Sequence, residues 1–158
     1  MPKWKRHDFR TSLKLGQQHE DVFLQAHPHL TRSPVRSYDF VTLKGEYVEL
    51  KTDLYDPRQT VNFFFERYSD SEKQKPGGVW QALGNGANYF IYYYPKTGEY
   101  YTFQTRELCA VLNVIERHCK QVRVLNHAWI TTGFLVKRED LEPIMSKFNL
   151  RKGNKWKT

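Results

Sequence analysis

Apolar side chains recur at a helical period near the start of the chain and at a strand period after residue 36. The positions that share one face of the predicted first helix are Leu13, Gln17, Glu20 and Leu24. Thr11 or Ser12 suits its N-cap, and the His27-Pro28 step disfavours helix beyond about Ala26. The carboxyl group of Glu20 is therefore expected on the same side as the apolar residues.

Helical spacing near the start, strand segments rich in β-branched and aromatic residues, and the turn residues between them predict a helix, three strands, a second helix and a fourth strand. These elements are predicted at about 12–26, 36–43, 46–51, 61–67, 79–83 and 89–94. The first two strands form a hairpin through Lys44-Gly45, and the apolar run Tyr89–Tyr94 predicts a strand covered on both faces.

The rest of the chain predicts an appended C-terminal module of mixed α/β structure. Its elements are expected at about 100–103, 106–118, 122–125, 134–137 and 141–148, the second and last of them helices. With 158 residues the chain has material for one domain. We therefore predict an α/β domain over 1–150, with its core at about 12–94, a central mixed sheet in αβββαβ order, and a basic tail at 151–158.

Charge and cysteine content narrow the class of protein. The formal net charge is +8, with 25 Lys and Arg against 17 Asp and Glu, which favours an anionic partner such as nucleic acid. Many of the basic residues lie at the two ends: Lys3, Lys5, Arg6 and Arg10, then Arg151, Lys152, Lys155 and Lys157. Solvated tails would explain the same pattern.

Cys109 and Cys119 form no C-x-x-C pair and lack a histidine at zinc spacing, so we expect two reduced thiols. The charged N-terminus has no apolar signal region, and no apolar run reaches the length of a membrane span. A cytoplasmic protein with no membrane association is expected. The scattered histidines, among them His27 and His29, are expected to be surface or hydrogen-bonded core residues.

Asp39, Glu49 and Lys51 carry the chemistry that the sequence suggests. A two-residue loop at Lys44-Gly45 would put Asp39 and Glu49 on opposite faces of the hairpin. A three-residue loop, with Gly45 in the left-handed conformation, places Asp39 directly opposite Glu49. Only the second register also gives a clean apolar face, composed of Tyr38, Phe40, Val48 and Leu50.

Two carboxylates directly opposite each other on a hairpin repel one another unless a cation lies between them. Oxygen ligands suit Mg²⁺, which keeps several waters and takes one or two carboxylates together with phosphate oxygens. Lys51 projects from the same face as Glu49 and is placed to position a water or to stabilise charge on phosphorus. Glu20 is expected to complete the metal shell from the first helix.

The D-x₉-E-x-K spacing, after a helix bearing Glu20, resembles the PD-(D/E)XK nuclease superfamily over roughly Gln17 to Tyr94. The resemblance implies catalysis by Asp39, Glu49 and Lys51, with Glu20 as the acidic residue of the first helix. It further implies a Mg²⁺ cofactor, for which Mn²⁺ can substitute. The family's proline is replaced by Tyr38, which removes no chemical group from the site.

Weaker candidates surround this group. Glu66 is a candidate metal or water ligand, although an exposed strand carboxylate would look the same, and Gln81 is either near the site or solvated. Lys73 and Lys75 precede Gly77-Gly78 at a helix start, which suggests either phosphate binding or a flexible turn. Lys152, Lys155 and Lys157 are the remaining expected DNA contacts.

The resemblance to small phage and bacterial nucleases and Holliday junction resolvases implies a structure-specific endonuclease acting on branched DNA. Such an enzyme would serve DNA recombination or repair, in a bacterial cell or in a phage-infected host, and is compatible with a homodimer. An exonuclease of the same superfamily is the nearest alternative. A non-enzymatic DNA-binding module would use the same basic surface, and RNA is not excluded as substrate.

Overall fold

The computed structural model describes residues 9–35, 37–126 and 128–157, with side chains from Lys14 onward. Its α-helices are α1 (Phe9–Ala26), α2 (Gly78–Gly84) and α3 (Thr105–Ile115). Its strands are β1 (Leu30–Arg32), β2 (Phe40–Thr42), β3 (Tyr47–Thr52), β4 (Asn62–Asp70), β5 (Lys75–Pro76), β6 (Tyr89–Tyr94), β7 (Glu99–Gln104), β8 (Lys120–Asn126), β9 (Trp129–Lys137) and β10 (Ser146–Asn149). The basic residues Lys3, Lys5 and Arg6 lie outside the described residues.

The central sheet has six strands in the order β1-β2-β3-β6-β7-β10. Strands β3 and β6 run parallel, while the other neighbours run antiparallel. This arrangement confirms the predicted α/β class with a mixed central sheet. Helix α1 ends at Ala26 as expected but begins at Phe9, upstream of the predicted caps.

A second, antiparallel sheet has the order β5-β4-β9-β8. Strand β4 is the third predicted strand, and it lies in this sheet and not in the central one. The restriction-endonuclease-like αβββαβ order within one sheet is therefore not established. Phe63 and Phe65 explain the placement, because both are fully buried and turn the inner face of β4 towards the central sheet.

Two hydrophobic clusters cover the two faces of the central sheet. On one face, Phe23 of α1 packs with Phe40, Val48 and Leu50. The other face packs against β4, β9, α2 and α3, with a core made of Phe63, Phe65, Val79, Phe90, Tyr92, Phe103, Leu108 and Phe134, among others. Residues of β6 alternate between the clusters, which confirms a strand covered on both faces.

The C-terminal part is integrated into the core, so the predicted boundary of the core at residue 94 is wrong. Strands β7 and β10 complete the central sheet, and β9 pairs with β4. The helix predicted at 141–148 is also wrong: a 3₁₀ segment, Arg138–Ile144, leads directly into β10. Pro143 lacks the N–H that an α-helix would need there.

The predicted basic tail is anchored to the core instead of extending freely. Trp156 is only 7% exposed and packs with the α1-side cluster. Its backbone N–H donates a hydrogen bond of 2.7 Å to the hydroxyl oxygen of Tyr100. The lysines around it remain exposed. The segment is therefore part of the folded domain.

Two smaller predictions are confirmed. Cys109 and Cys119 are both free thiols. His27 is fully buried and bonded on both ring nitrogens, to the Phe23 carbonyl and to the Tyr100 hydroxyl, each at 2.8 Å. In the part of the chain that the structure describes, no helix has the length and apolar character needed to cross a membrane.

Candidate active site

The hairpin between β2 and β3 has the register that the three-residue loop predicts. Phe40 pairs with Val48, and the N–H of Thr42 donates to the carbonyl of Glu46 at 2.9 Å. Gly45 has φ of +79°, in the left-handed region that glycine adopts without strain. The N–H of Asp39 donates to the carbonyl of Val48 at 3.1 Å, so Asp39 stands opposite Glu49.

The two opposed carboxyl groups are half-buried and perturb each other. Asp39 Oδ2 accepts a 2.8 Å hydrogen bond from the backbone N–H of Leu50, which fixes its side chain beside β3. Burial, followed by the nearby Glu20 carboxylate, raises the pKa of Asp39 to about 7 against the opposing effect of the Leu50 N–H. Burial, followed by Asp39 and Glu20, raises the pKa of Glu49 to about 8. Both groups therefore favour a proton or a cation near neutral pH.

Glu20 lies near this pair but is held by an arginine. Arg32 Nη1 donates to Glu20 Oε2 at 2.8 Å, and its other terminal nitrogen bonds Asp21. Arg32 lies on β1 and pairs with Phe40, beside Asp39 in the chain. Among the described residues, no three carboxylate, imidazole or thiol groups form a ready metal shell. Asp39 and Glu49 alone still supply the one or two carboxylates that Mg²⁺ commonly takes from a protein.

Lys51 extends from β3 towards β4 of the second sheet. Its Nζ donates a 2.7 Å hydrogen bond to the carbonyl of Phe64 and lies 4.6 Å from the centre of the Phe64 ring. Burial lowers the pKa of Lys51 to about 8, although the negative charges of Glu66 and Asp53 oppose the shift. The amine can therefore exchange a proton close to neutral pH.

Glu66 is the half-buried acidic neighbour of Lys51 and not an exposed strand carboxylate. Burial raises the pKa of Glu66, and the charge of Lys51 partly opposes that shift. A Cβ atom added at Gly77 would lie 2.7 Å from Glu66 Oε1, and one at Gly78 would lie 2.8 Å from the Glu66 carbonyl oxygen. The two glycines are therefore needed because β4 passes so closely.

This packing supplies a structural reason for Gly77-Gly78, since the Glu66 carboxylate lies in the space beside the first glycine, and phosphate binding there stays a prediction. Lys75 forms part of β5, and both Lys73 and Lys75 are exposed. Gln81 is an exposed helix residue, in line with the solvated alternative.

The exposed lysines at 152, 155 and 157 flank Trp156, which packs with the cluster on the α1 side of the central sheet. Lys155 is close enough to His27 that its charge contributes to the lowered pKa of that histidine, behind burial and the charge of His29. These lysines therefore belong to a surface on the α1 side. Glu49 and Lys51 point to the other side of the sheet.

Two features of the site could not be identified from the sequence. The first is the contact of Arg32 with Glu20, and the second is a hydrogen-bonded bridge between the two sheets through Tyr92. The Tyr92 hydroxyl donates to the Asp53 carboxylate and accepts from the N–H of Phe64 at 3.0 Å. Asp53 lies two residues after Lys51, immediately beyond the end of β3, and Tyr92 pairs with Lys51 across the sheet. Strand alternation was the only signal available for this contact.

The structure brings the Asp39 and Glu49 carboxyl groups together, with the Glu20 carboxylate held beside them by arginine. Lys51, two residues from Glu49 on β3, is half-buried and lies beside Glu66 and Asp53 instead. The arrangement can bind a hard cation and can move a proton at Lys51. No protein-family model, no curated protein and no solved structure matches this chain.

Proposed function

We propose that this protein is a Mg²⁺-dependent nuclease that hydrolyses phosphodiester bonds in DNA, as a structure-specific endonuclease on branched substrates. The observation that supports the proposal best is the opposed pair of Asp39 and Glu49. Their raised pKa values mean that the bare pair is unfavourable when fully ionised. A proton offsets this repulsion in the metal-free protein, and a bound cation would offset it when both groups are ionised.

The residues fit a magnesium ion by their donor type. Asp39 and Glu49 would hold it with carboxylate oxygens, and substrate phosphate and water would fill the remaining positions. When bound, Mg²⁺ or Mn²⁺ supplies charge to the phosphate oxygens and lowers the pKa of a coordinated water. Glu20 would contribute through Arg32, which holds its carboxylate beside the pair.

Lys51 would exchange a proton and provide positive charge at the reacting phosphate. With its pKa at about 8, the amine is mostly protonated at pH 7 but releases a proton readily. The bond to the Phe64 carbonyl holds Nζ in place in the absence of substrate. Stabilising charge that develops on the phosphate is the role that a fixed cation performs most effectively.

Incubation of the protein with end-labelled linear, single-stranded, flap and four-way-junction DNA tests the proposal, with Mg²⁺ or with EDTA. Metal-dependent internal cleavage that Lys51→Ala and Asp39→Asn abolish is the expected result. Release of mononucleotides from ends would indicate an exonuclease instead. Salt-sensitive binding without any product in Mg²⁺ or Mn²⁺ would overturn the nuclease proposal in favour of a DNA-binding module.

A further inference from the structure

A groove of about 790 Å³ begins at Lys51 and runs along the outer face of the second sheet. One wall is the loop from Asp53 to Thr60, and the floor is formed by side chains of β4, β8 and β9. Its apolar and aromatic lining consists of Leu54, Tyr55, Phe64, Val122, Val124 and Leu135. Lys51 lines both this groove and the candidate active site.

The loop wall is fixed by hydrogen bonds. Arg138 donates from Nη2 to the carbonyls of Pro57 and Thr60, at 2.8 and 2.6 Å. The N–H of Tyr55 donates to Asp53 Oδ1 at 2.9 Å, and the N–H of Asp53 donates to the Tyr93 carbonyl at 2.8 Å. A groove whose wall is already ordered loses little entropy when it takes up a ligand.

Several apolar side chains that line the groove are much more exposed than apolar residues in a packed core. Tyr55 is 76% exposed and Leu54 is 58% exposed, while Val124 is 40% exposed on the neighbouring strand. Large apolar groups that stay exposed together mark a binding surface more often than single exposed residues do. The aromatic members offer flat faces on which a planar ring can stack.

The charges around the groove favour an anionic chain. Lys120 pairs with Leu135 across β8 and β9, so it shares the outer face with the apolar lining, as does Lys137. Of the two acidic lining residues, Asp56 is paired with Arg58 at 2.8 Å. Asp53 accepts only from neutral donors, the Tyr92 hydroxyl and the Tyr55 N–H, and keeps its negative charge. Lys51, Lys120 and Lys137 outnumber that carboxylate, so the balance of charge at the groove is positive.

We propose that this groove takes one or two unpaired nucleotides of the DNA strand, next to the phosphate held at the active site. The inference rests on the proposed nuclease function and specifies its substrate. A volume of this size lies in the range of small-ligand sites. Tyr55 and Phe64 supply stacking faces, the valines supply apolar contact, and Lys51 and the rim lysines supply charge for the backbone. Stacking of this kind accepts any base.

A substrate class follows from this geometry. Bases of an intact duplex are stacked and paired, and they cannot enter the groove without being extruded at a cost. A flap, a bulge or a single-stranded gap at the cutting point provides unpaired bases free of that cost. DNA with unpaired bases at the scissile phosphate is therefore the preferred substrate over continuous duplex.

The test uses short single-stranded DNA carrying 2-aminopurine, whose fluorescence falls when it stacks on an aromatic ring. Binding is measured by anisotropy and quenching in EDTA, so cleavage plays no part. Tyr55→Ala and Val124→Asp alter the groove. Leu43→Ala and Val114→Asp are the matched controls, since Leu43 and Val114 are exposed residues that do not line it. Tyr55→Ala is expected to weaken binding about tenfold and to remove most quenching.

Cleavage of flap and duplex DNA in Mg²⁺ is measured with the same variants. Wild type should prefer the flap, and Tyr55→Ala should lose that preference, whereas the control Val114→Asp should keep both the preference and the rate of duplex cleavage. Cleavage with no substrate preference and no effect of Tyr55→Ala would overturn the groove proposal and leave the nuclease standing. Quenching that depends on Tyr55 without any cleavage would support the groove and overturn the nuclease. Loss of binding in the controls to the same extent would overturn the groove.

Discussion

Replacing Asp39 by Asn removes one charge from the carboxylate pair while keeping nearly the same side-chain shape. The amide oxygen of Asn can accept the hydrogen bond that Asp39 Oδ2 now accepts from the Leu50 N–H. Backbone geometry immediately before β2 should therefore be unchanged. The remaining effect is electrostatic, since a half-buried charge is removed and neither Glu20 nor Glu49 faces a second carboxylate at this position.

The size of the effect follows from the raised pKa. Burial, followed by the Glu20 carboxylate, raises the pKa of Asp39 from 3.8 to about 7, and each tenfold change in proton affinity corresponds to about 1.4 kcal/mol. Ionised Asp39 thus costs the metal-free fold up to about 4 kcal/mol at pH 8. We expect Asp39→Asn to be more stable than wild type by on the order of 1 to 4 kcal/mol in EDTA at that pH.

The sign of the pH dependence follows from proton binding. Between about pH 4 and pH 8 the folded protein keeps protons on Asp39 and Glu49 that the unfolded chain has released. Without metal, the contribution of this pair to the free energy of unfolding should therefore be most favourable near pH 4 to 5. It should become less favourable as the pH rises to about 8. The lowered pKa values of His27 and His29 act in the opposite direction, but they are common to both proteins and cancel in the difference.

Urea denaturation in EDTA at pH 5 and pH 8, followed by thermal melts across a Mg²⁺ titration, measures both quantities. Wild type should gain about 2.7 kcal/mol at a hundredfold excess of Mg²⁺ over its dissociation constant, and Asp39→Asn should gain much less. Glu46→Gln is the matched control, because Glu46 is a half-buried carboxylate on the same hairpin that bonds Tyr89 instead of the pair. If Asp39→Asn is clearly less stable than wild type in EDTA and keeps the full stabilisation by Mg²⁺, Asp39 has a structural role and does not bind the cation.

Three further outcomes are expected. Lys51→Ala should abolish cleavage while DNA and metal binding persist, and near-normal turnover in a gel assay would remove Lys51 from the mechanism. Changing Lys152, Lys155 and Lys157 to Gln should flatten the salt dependence of DNA binding by about one slope unit per lost phosphate contact, and an unchanged slope would make them bystanders. Trp156→Ala should destabilise the fold by roughly 3 to 5 kcal/mol in urea melts, with Trp156→Phe intermediate, because the indole is buried; an effect below 1 kcal/mol would contradict its anchoring role.

The register of the β2–β3 hairpin could be predicted because local rules decide it. Gly45 selects the loop, and strand alternation then places Asp39 opposite Glu49 and Lys51 on the face of Glu49. These are interactions between residues close in sequence. The same rules carry no information about which distant group will approach the face.

The partners of the site residues could not be predicted for that reason. Arg32 captures Glu20 from a three-residue strand too short to show a period. Lys51 bonds the carbonyl of Phe64, and nothing in the spacing of the two residues indicates that contact. Both depend on how separate elements pack.

The sheet to which each strand belongs could not be predicted from the sequence, for a related reason. The alternation of Phe63 and Phe65 identifies β4 as a strand with one buried face, but it does not say which strands are its neighbours. Likewise, apolar residues near 141–148 suggested a helix, whereas pairing of β10 with the open edge of β7 determined the result. Edge pairing is a property of the assembled sheet.

The buried position of Trp156 links the C-terminal segment to the end of α1. Its N–H meets the Tyr100 hydroxyl, and that hydroxyl meets His27 near the end of α1. Synthesis proceeds from the N-terminus, so Phe148, Leu150 and Trp156 are the last members of the cluster around Phe23 to be made. A nascent chain stalled before residue 146 would thus leave Tyr100 and His27 without the cover and the hydrogen bond that Trp156 supplies.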